Sequence, residues 1–293
     1  MKFAAWACSL RAGLGIWVLF LNFSFAAEWV QGAGHRSALV VPGPGGKAGF
    51  TFLAPAITGI AFTNRLEGDM YLTNAVAHNG AGLAIGDFDQ DGQADIFFCS
   101  LQGPNSLYRN LGDWRFAKVD AGPIACADQL STGAAFADVD GDGDLDLLVN
   151  GIAAGTRLFL NDGKGRWSES INAGLSRTNS ATSMALADID RDGDLDLYCA
   201  HYIDVMHLAD PTTRFALGRR EGKWEVIRVN GQSTRLPKWQ GRFEALPDGS
   251  VRELPEAHGL YRNDGNGRFT AIQNEAGVFQ DSAGKPIAPF RDW

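Results

Sequence analysis

The chain has 293 residues, 45% of them hydrophobic, with 34 Asp and Glu against 26 Lys and Arg and a formal net charge of −8. No basic patch stands against that acidity, so nucleic acid is excluded as an expected partner. Fourteen of the acidic residues fall in three short loops, so the charge reads as local metal demand rather than as a general polyanionic surface.

At the N-terminus, Lys2 and Arg11 flank short apolar stretches, followed by AGLGIWVLFLNFSFA and a small-x-small site at Ser24-Phe25-Ala26. This pattern predicts a secretory signal peptide over residues 1–26, with a linker over 27–48. A membrane anchor is the alternative. The run from Ala12 to Ala27 holds 16 residues, is interrupted by Asn22 and Ser24, and falls short of the ~20 needed to span a bilayer. Cleavage would leave no spanning segment and would take the formal charge to −10 by removing two cations.

The dominant pattern begins at Gly82 with GLAIGDFDQDGQADIFFCS and recurs as TGAAFADVDGDGDLDLLVN from Thr132 and TSMALADIDRDGDLDLYCA from Thr182. Each core reads D-x-D-x-D-G-x-x-D. Ca2+ takes six to eight oxygens, and carboxylates on alternate residues of a tight loop can converge on one point, with Gly allowing the bend. The expected ligands are Asp87, Asp89, Asp91, Asp95 and the Gln93 carbonyl; Asp138, Asp140, Asp142, Asp146 and the Asp144 carbonyl; and Asp188, Asp190, Asp192, Asp196 and the Asp194 carbonyl. About three Ca2+ sites follow. An EF-hand would need a bidentate Glu at position twelve on an exiting helix, but Phe98, Val149 and Cys199 stand there. The residues after each loop are β-branched, aromatic or apolar and predict strands. A single copy could be a solvated hairpin turn, but three phased copies favour ligands.

Each acidic loop and strand is followed by a hairpin, LYRNLGDWRF at Leu107, LFLNDGKGRW at Leu158 and LYRNDGNGRF at Leu260. A closing aromatic strand follows in turn, FAKVDAGPI, WSESINAGL and FTAIQNEAGV. Asp87 to Asp138 is 51 residues and Asp138 to Asp188 is 50, so one repeat is about four short strands. The third repeat carries 52 extra residues between its second and third strands. Units of four strands at this period predict an all-β fold of the β-propeller type, with blades at about 75–125, 126–176 and 177–279 and an insertion at about 202–258.

The chain from about Gly49 to its end resembles FG-GAP/VCBS repeat proteins, the calcium-loop blades of integrin α-subunit propellers, and the cartilage-acidic-protein-like (ASPIC/UnbV-associated) family. The resemblance rests on the D-x-D-x-D-G-x-x-D hairpins. It implies calcium at blade hairpins and a role in adhesion or recognition. On this pattern residues 49–293 form a partial propeller, and Phe50 to Ile60, FTFLAPAITGI, is the outer strand of the last blade. The spacing puts a fourth acidic loop near residue 290, where only Arg291-Asp292 precede Trp293. Further blades and any C-terminal domain are therefore expected beyond it.

No G-x-S-x-G, H-E-x-x-H, Walker or dinucleotide fingerprint occurs. His35, His78 and His258 are scattered, and His201 and His207, near Asp204 and Asp210, read as a polar loop rather than as a metal or acid/base site. The carboxylates within each loop are too regular for an acid/base dyad. Cys99, Cys126 and Cys199 remain after the leader. Two of them sit in apolar strands as small hydrophobes, which leaves a Cys99–Cys126 bridge open. The insertion, with Trp224, Trp239, Arg219, Arg220 and the turn Pro247-Asp248-Gly249, predicts extra hairpins that either bind a ligand or pack as decoration.

The expected function is a secreted (extracellular, periplasmic or cell-surface) calcium-binding module for recognition or adhesion. It is not an enzyme, and its ligand is a protein or glycan. The alternatives are the non-catalytic part of a larger secreted enzyme and a structural module of a surface protein.

Overall fold

The computed structural model describes residues 29–32, 35–38, 49–68, 76–202, 207–208, 211–272 and 283–284. The predicted leader, Asp204, Asp210 and the end of the third closing strand lie outside them. Two compact units divide the chain, Met1–Phe52 and Leu53–Trp293. In the first, β1 (Trp29–Gly32) pairs antiparallel with β2 (His35–Ala38), inside the stretch read as a linker.

The second unit is all-β apart from short helical turns. Its first four-stranded antiparallel sheet is β3 (Leu83–Gly86), β4 (Asp95–Phe98), β5 (Ser106–Asn110) and β6 (Phe116–Val119). The second is β7 (Leu130–Ala137), β8 (Asp146–Ile152), β9 (Gly155–Leu160) and β10 (Ser168–Glu169). The third opens with β11 (Ala181–Ala187) and β12 (Asp196–His201). The chain then forms the small sheet β13 (Phe215–Arg220), β14 (Lys223–Val229) and β15 (Gln232–Ser233), and the hairpin β16 (Phe243–Ala245) and β17 (Val251–Glu253). It returns with β18 (Gly259–Asn263), which pairs with β12, and β19 (Phe269–Ala271) completes the third sheet. No helix among the described residues is long and apolar enough to cross a membrane.

The two larger apolar clusters among the described residues lie as slabs between the three sheets. Leu147, Val149 and Phe159 of the second sheet meet Phe88, Phe97, Cys99 and Leu107 of the first repeat. Leu148 and Leu158 of the same two strands meet Leu197, Cys199, Tyr261 and Phe269 of the third. Side chains alternate across a strand, so β8 is apolar on both faces and all seven of its residues are buried. That is why DLLVN reads as a continuous run rather than an alternating one. Each fully buried Leu or Phe contributes about 1.5–3 kcal/mol relative to exposure.

The sheets are also joined by a repeated polar contact. Asn161 Nδ2 donates to the Phe88 carbonyl at 2.7 Å and Asn263 Nδ2 to the Val139 carbonyl at 2.8 Å. Phe88 and Val139 each follow the first Asp of an acidic loop, so the Asn ending one hairpin locks onto the loop of the preceding repeat. Asn110, at the same place in the first repeat, donates within its own repeat to Ala94. Ile85 and Trp114 on that side of the first sheet are 61% and 71% exposed. Ile189, the counterpart of Phe88 in the third loop, is 50% exposed.

The strand expected over Phe50–Ile60 is not formed. Its centre is the short helix α1 (Pro55–Thr58), which starts at a proline whose φ suits the first helical position and ends at Gly59 in the left-handed region, φ 76°. Gly59 packs so closely on Phe116 that an added Cβ would lie 2.4 Å from the Phe116 carbonyl oxygen. Gly174, in the closing segment of the second repeat, meets Phe269 of the third in the same way, at 1.9 Å. Phe116 and Phe269 are equivalent residues, so Gly59 holds the place of a closing glycine although its segment is not a strand. The bridge left open in the sequence is not made either: Cys99, Cys126 and Cys199 are buried free thiols. Burial raises all three, Cys126 to about 12 and Cys199 to about 11.

Candidate metal centres

Each acidic loop joins the first two strands of a sheet, β3 to β4, β7 to β8 and β11 to β12. The first Asp folds the loop by accepting backbone N–H groups. Asp87 takes Asp91 at 3.0 Å and Gly92 at 2.8 Å, and Asp138 takes Gly141 at 2.8 Å and Gly143 at 3.1 Å. The fifth-position residues accept the N–H two residues on: Asp91 from Gln93, Asp142 from Asp144 and Asp192 from Asp194. The invariant glycine of the pattern sits at φ 86°, 92° and 103° (Gly92, Gly143, Gly193), which side chains rarely adopt. The fourth position is left-handed as well, at Gln90, Gly141 and Arg191, and only one of these is a glycine.

The ninth-position Asp ties loop to sheet. Asp95 accepts the N–H of Phe88 (3.2 Å) and of Asn110 (2.7 Å), and Asp146 those of Val139 (3.1 Å) and Asn161 (3.0 Å). Asp196 accepts those of Ile189 and Asn263, both at 2.9 Å. All three carboxylates are at most 2% exposed.

Three carboxylates therefore converge in each loop, Asp87, Asp89 and Asp95; Asp138, Asp140 and Asp146; and Asp188, Asp190 and Asp196. Their nearest oxygens lie within 4.8 Å of one another. Oxygens bound to one Ca2+ at 2.3–2.6 Å are at most about 5 Å apart, so the triads fit one such ion each. Asp89 Oδ1 is buried with no hydrogen-bond partner among the described residues, which leaves one acceptor of this carboxylate open to an ion. Burial, and after it the neighbouring carboxylates, raise Asp95 and Asp146 to about 6. Asp140, Asp144, Asp190 and Asp194 are raised by the same two causes. A divalent cation would reverse that repulsion.

Asp91, Asp142 and Asp192 stand outside the triads, and so do the seventh-position residues Gln93, Asp144 and Asp194. The side chains of the latter lie against Gly112, Gly163 and Gly265 in the turn between the third and fourth strands, where a Cβ on Gly163 would meet Asp144 Oδ1 at 2.6 Å. Gln90 of the first loop donates to Asp144 of the second, linking adjacent centres.

Arg109 is a participant that the motif does not contain. From β5 it pairs with Asp89 at 2.7 Å and with Asp91 at 3.1 Å, so a side-chain cation already sits on two expected ligands of the first loop. The aligned residue in the second repeat is Leu160. The third repeat has Arg262 at this place, which forms no ion pair with its loop among the described residues, so the sequence carried no signal for the Arg109 contact. Arg109 would compete with an ion held there, so Arg109→Leu is expected to tighten calcium at the first loop roughly two- to fivefold, the scale of a screened ion pair. Titration followed by lanthanide luminescence or calorimetry would measure it. Weaker or unchanged binding would show that Arg109 does not compete.

His201 is buried, its Nδ1 2.7 Å from the Ala257 carbonyl oxygen, and burial lowers its pKa. It closes a strand end, and His207 packs edge-on against Trp239, with ring centroids 5.0 Å apart.

Residues 87–149 and 150–199 match the FG-GAP-like repeat. The chain is 30% identical over 106 residues to cartilage acidic protein 1 of Xenopus tropicalis, covering 33% of this chain and 16% of that protein. It is 33% identical over 88 residues to the Mus musculus protein of that name, covering 28% and 14%. To the Homo sapiens protein it is 36% identical over 84 residues, covering 28% and 12%. The chain thus carries FG-GAP-like repeats and has a distant, partial similarity to these proteins, matching less than a fifth of their length.

Proposed function

We propose that this chain is a secreted calcium-binding β-propeller module for recognition or adhesion, non-catalytic in itself, whose ligand is a protein or a glycan. The observation that carries the reading is the threefold recurrence of one buried-edge carboxylate triad on FG-GAP-like repeats. Asp87, Asp89 and Asp95, with their counterparts in the second and third loops, would hold the ion. Asp91, Asp142 and Asp192 and the carbonyls of Gln93, Asp144 and Asp194 would complete its shell. Bound calcium would supply charge neutralisation and rigidity, and the carboxylates act as ligands rather than as an acid/base pair.

Closure into a propeller is supported by the ends of the three-sheet stack. The exposed side of the first sheet, at Ile85 and Trp114, matches the side that the second sheet presents to Phe88, and Ile189, the counterpart of Phe88, is exposed at the other end. Gly59 already occupies a closing-glycine place against Phe116. Secretion rests on the leader pattern of residues 1–26.

Beads coated with the protein are expected to adhere to immobilised extracellular-matrix glycoproteins in millimolar calcium and to release in chelator. Adhesion that ignores calcium, or none, overturns the recognition reading. Absence of bound metal by elemental analysis overturns the calcium reading.

A further inference from the structure

The joint between neighbouring sheets is made twice within the chain and, among the described residues, is open at both ends of the stack. At the first joint the Phe88 ring seats against Trp167, with centroids 6.0 Å apart, and over Gly165, where an added Cβ would come 2.6 Å from the Phe88 ring. Asn161 Nδ2 holds the loop by donating to the Phe88 carbonyl at 2.7 Å while also donating to Leu145 of its own repeat at 3.1 Å. At the second joint Asn263 Nδ2 is shared in the same way between Val139 at 2.8 Å and Leu195 at 3.3 Å.

The first sheet carries the same socket with no guest among the described residues. A cavity of about 490 Å3 is lined by Ile85, Ala94, Asn110, Trp114 and Phe116, which stand 51 residues before Phe136, Leu145, Asn161, Gly165 and Trp167. Asn110 Nδ2 keeps the bond within its own repeat, to Ala94 at 2.8 Å, and makes none to another repeat among the described residues. Trp114 takes the place of Gly165, so a Phe ring seated as Phe88 is would collide with its Cβ. The guest must be smaller than Phe. At the other end of the stack Ile189, the counterpart of Phe88, is such a residue and is exposed. Two residues on, Arg191 stands where Gln90 stands in the first loop, and both are left-handed. Gln90 Nε2 donates across the first joint to the Gly143 carbonyl at 3.3 Å and to Asp144, and the first sheet offers Arg191 the matching acceptors, the Gly92 carbonyl and Gln93 Oε1.

We propose that a second copy of this chain fills the socket, the Ile189 loop of one copy docking on the first sheet of the other, which rests on the propeller reading and names what completes the ring. Ile189 enters between Ile85 and Trp114, its carbonyl accepts the free N–H of Asn110 Nδ2, and Arg191 meets Gly92 and Gln93. Apolar side chains that stand exposed at both ends of the stack are thereby buried. Each copy offers one loop and one socket, so two copies make two joints and leave neither end open. Three four-stranded sheets from each copy make about six blades, within the four to eight typical of propellers.

Sedimentation velocity on the full chain in calcium, across about 1–100 μM, a range that brackets micromolar affinity, is expected to show the monomer giving way to a species of twice its mass. Ile189→Asp and Ile85→Asp each place a carboxylate on one side of the joint and are expected to keep the chain monomeric throughout. Ile189→Ala, which adds no charge, is expected to weaken pairing about tenfold. Ile227→Asp, at an exposed apolar position of the insertion, is expected to leave pairing unchanged. Ile85 and Ile189 are exposed in the single chain, so circular dichroism of the variants should match the parent. A monomer at every concentration overturns the pairing and leaves the calcium and recognition readings standing. Pairing that survives either Ile→Asp change at the joint, or that Ile227→Asp also abolishes, overturns the loop-into-socket contact. Species that grow past two copies with concentration and vanish in both joint variants overturn the two-copy ring and the propeller reading together.

Discussion

Chelation is expected to lower the melting temperature by roughly 10 °C. Each triad holds three carboxylates with oxygens within 4.8 Å of one another, and a cation that binds only the folded loop stabilises it by mass action. Extracellular calcium modules bind at ~10⁻⁴–10⁻³ M, so a few millimolar calcium stabilises by about 1.4 kcal/mol per site at tenfold excess over Kd, and by about 4 kcal/mol for three. For a domain of this size each kcal/mol moves the midpoint by about 2–4 °C. Scanning calorimetry in calcium and in chelator measures the shift. Asp140→Asn, which removes a carboxylate of one triad, is expected to abolish about a third of it, one site's share of three, and more where the Gln90–Asp144 contact couples the first two loops. A melt indifferent to chelator would mean that the loops are rigid without an ion.

Asp146→Ala is expected to destabilise the protein by about 2–6 kcal/mol even in chelator, far more than Asp140→Ala does there. Asp146 is fully buried and accepts two backbone N–H groups, from Val139 in its own loop and from Asn161 at the end of β9. Truncation strands both donors, each at about 1–3 kcal/mol. Asp140, whose ionised form is disfavoured by burial and then by Asp142, should matter mainly once calcium is present. Asp146→Asn keeps one acceptor and sheds a charge that burial opposes, so its stability should fall between the parent and Ala. Denaturant unfolding in chelator separates the three. Equal losses for Asp146→Ala and Asp140→Ala would make the ninth-position Asp a ligand only, not a tie between loop and sheet.

The three four-stranded sheets were legible because two independent signals coincide in each repeat: oxygen spacing suited to one ion, and strand-like residues resuming at fixed distance after it. The hairpins of the insertion were legible for the ordinary reason that Asn-Gly and Pro-Asp-Gly turns separate β-rich runs. What stayed hidden depends on neighbours distant in the chain. The Asn161 and Asn263 joints reach across 73 and 124 residues, and the Arg109 contact comes from the adjacent strand. Phe50–Ile60 shares an aromatic start and a glycine-aliphatic end with the closing strands. Only the end of that pattern keeps its place, because Pro55 starts a helical turn before a strand can run through.

The insertion interrupts the third sheet after His201, at the end of β12 remote from Asp196 and its loop. Strand ends that carry the carboxylates are constrained by the convergence of the triads and by the Asn joints, whereas the other ends are bounded only by the need for β18 to re-enter beside β12. The two ends of a repeat are thus under different selective pressures. Descendants of such a unit can gain, lose or exchange a whole insertion at one end without retuning the acidic loop at the other, so relatives are expected to diverge in length where the insertion sits while their acidic loops stay in phase.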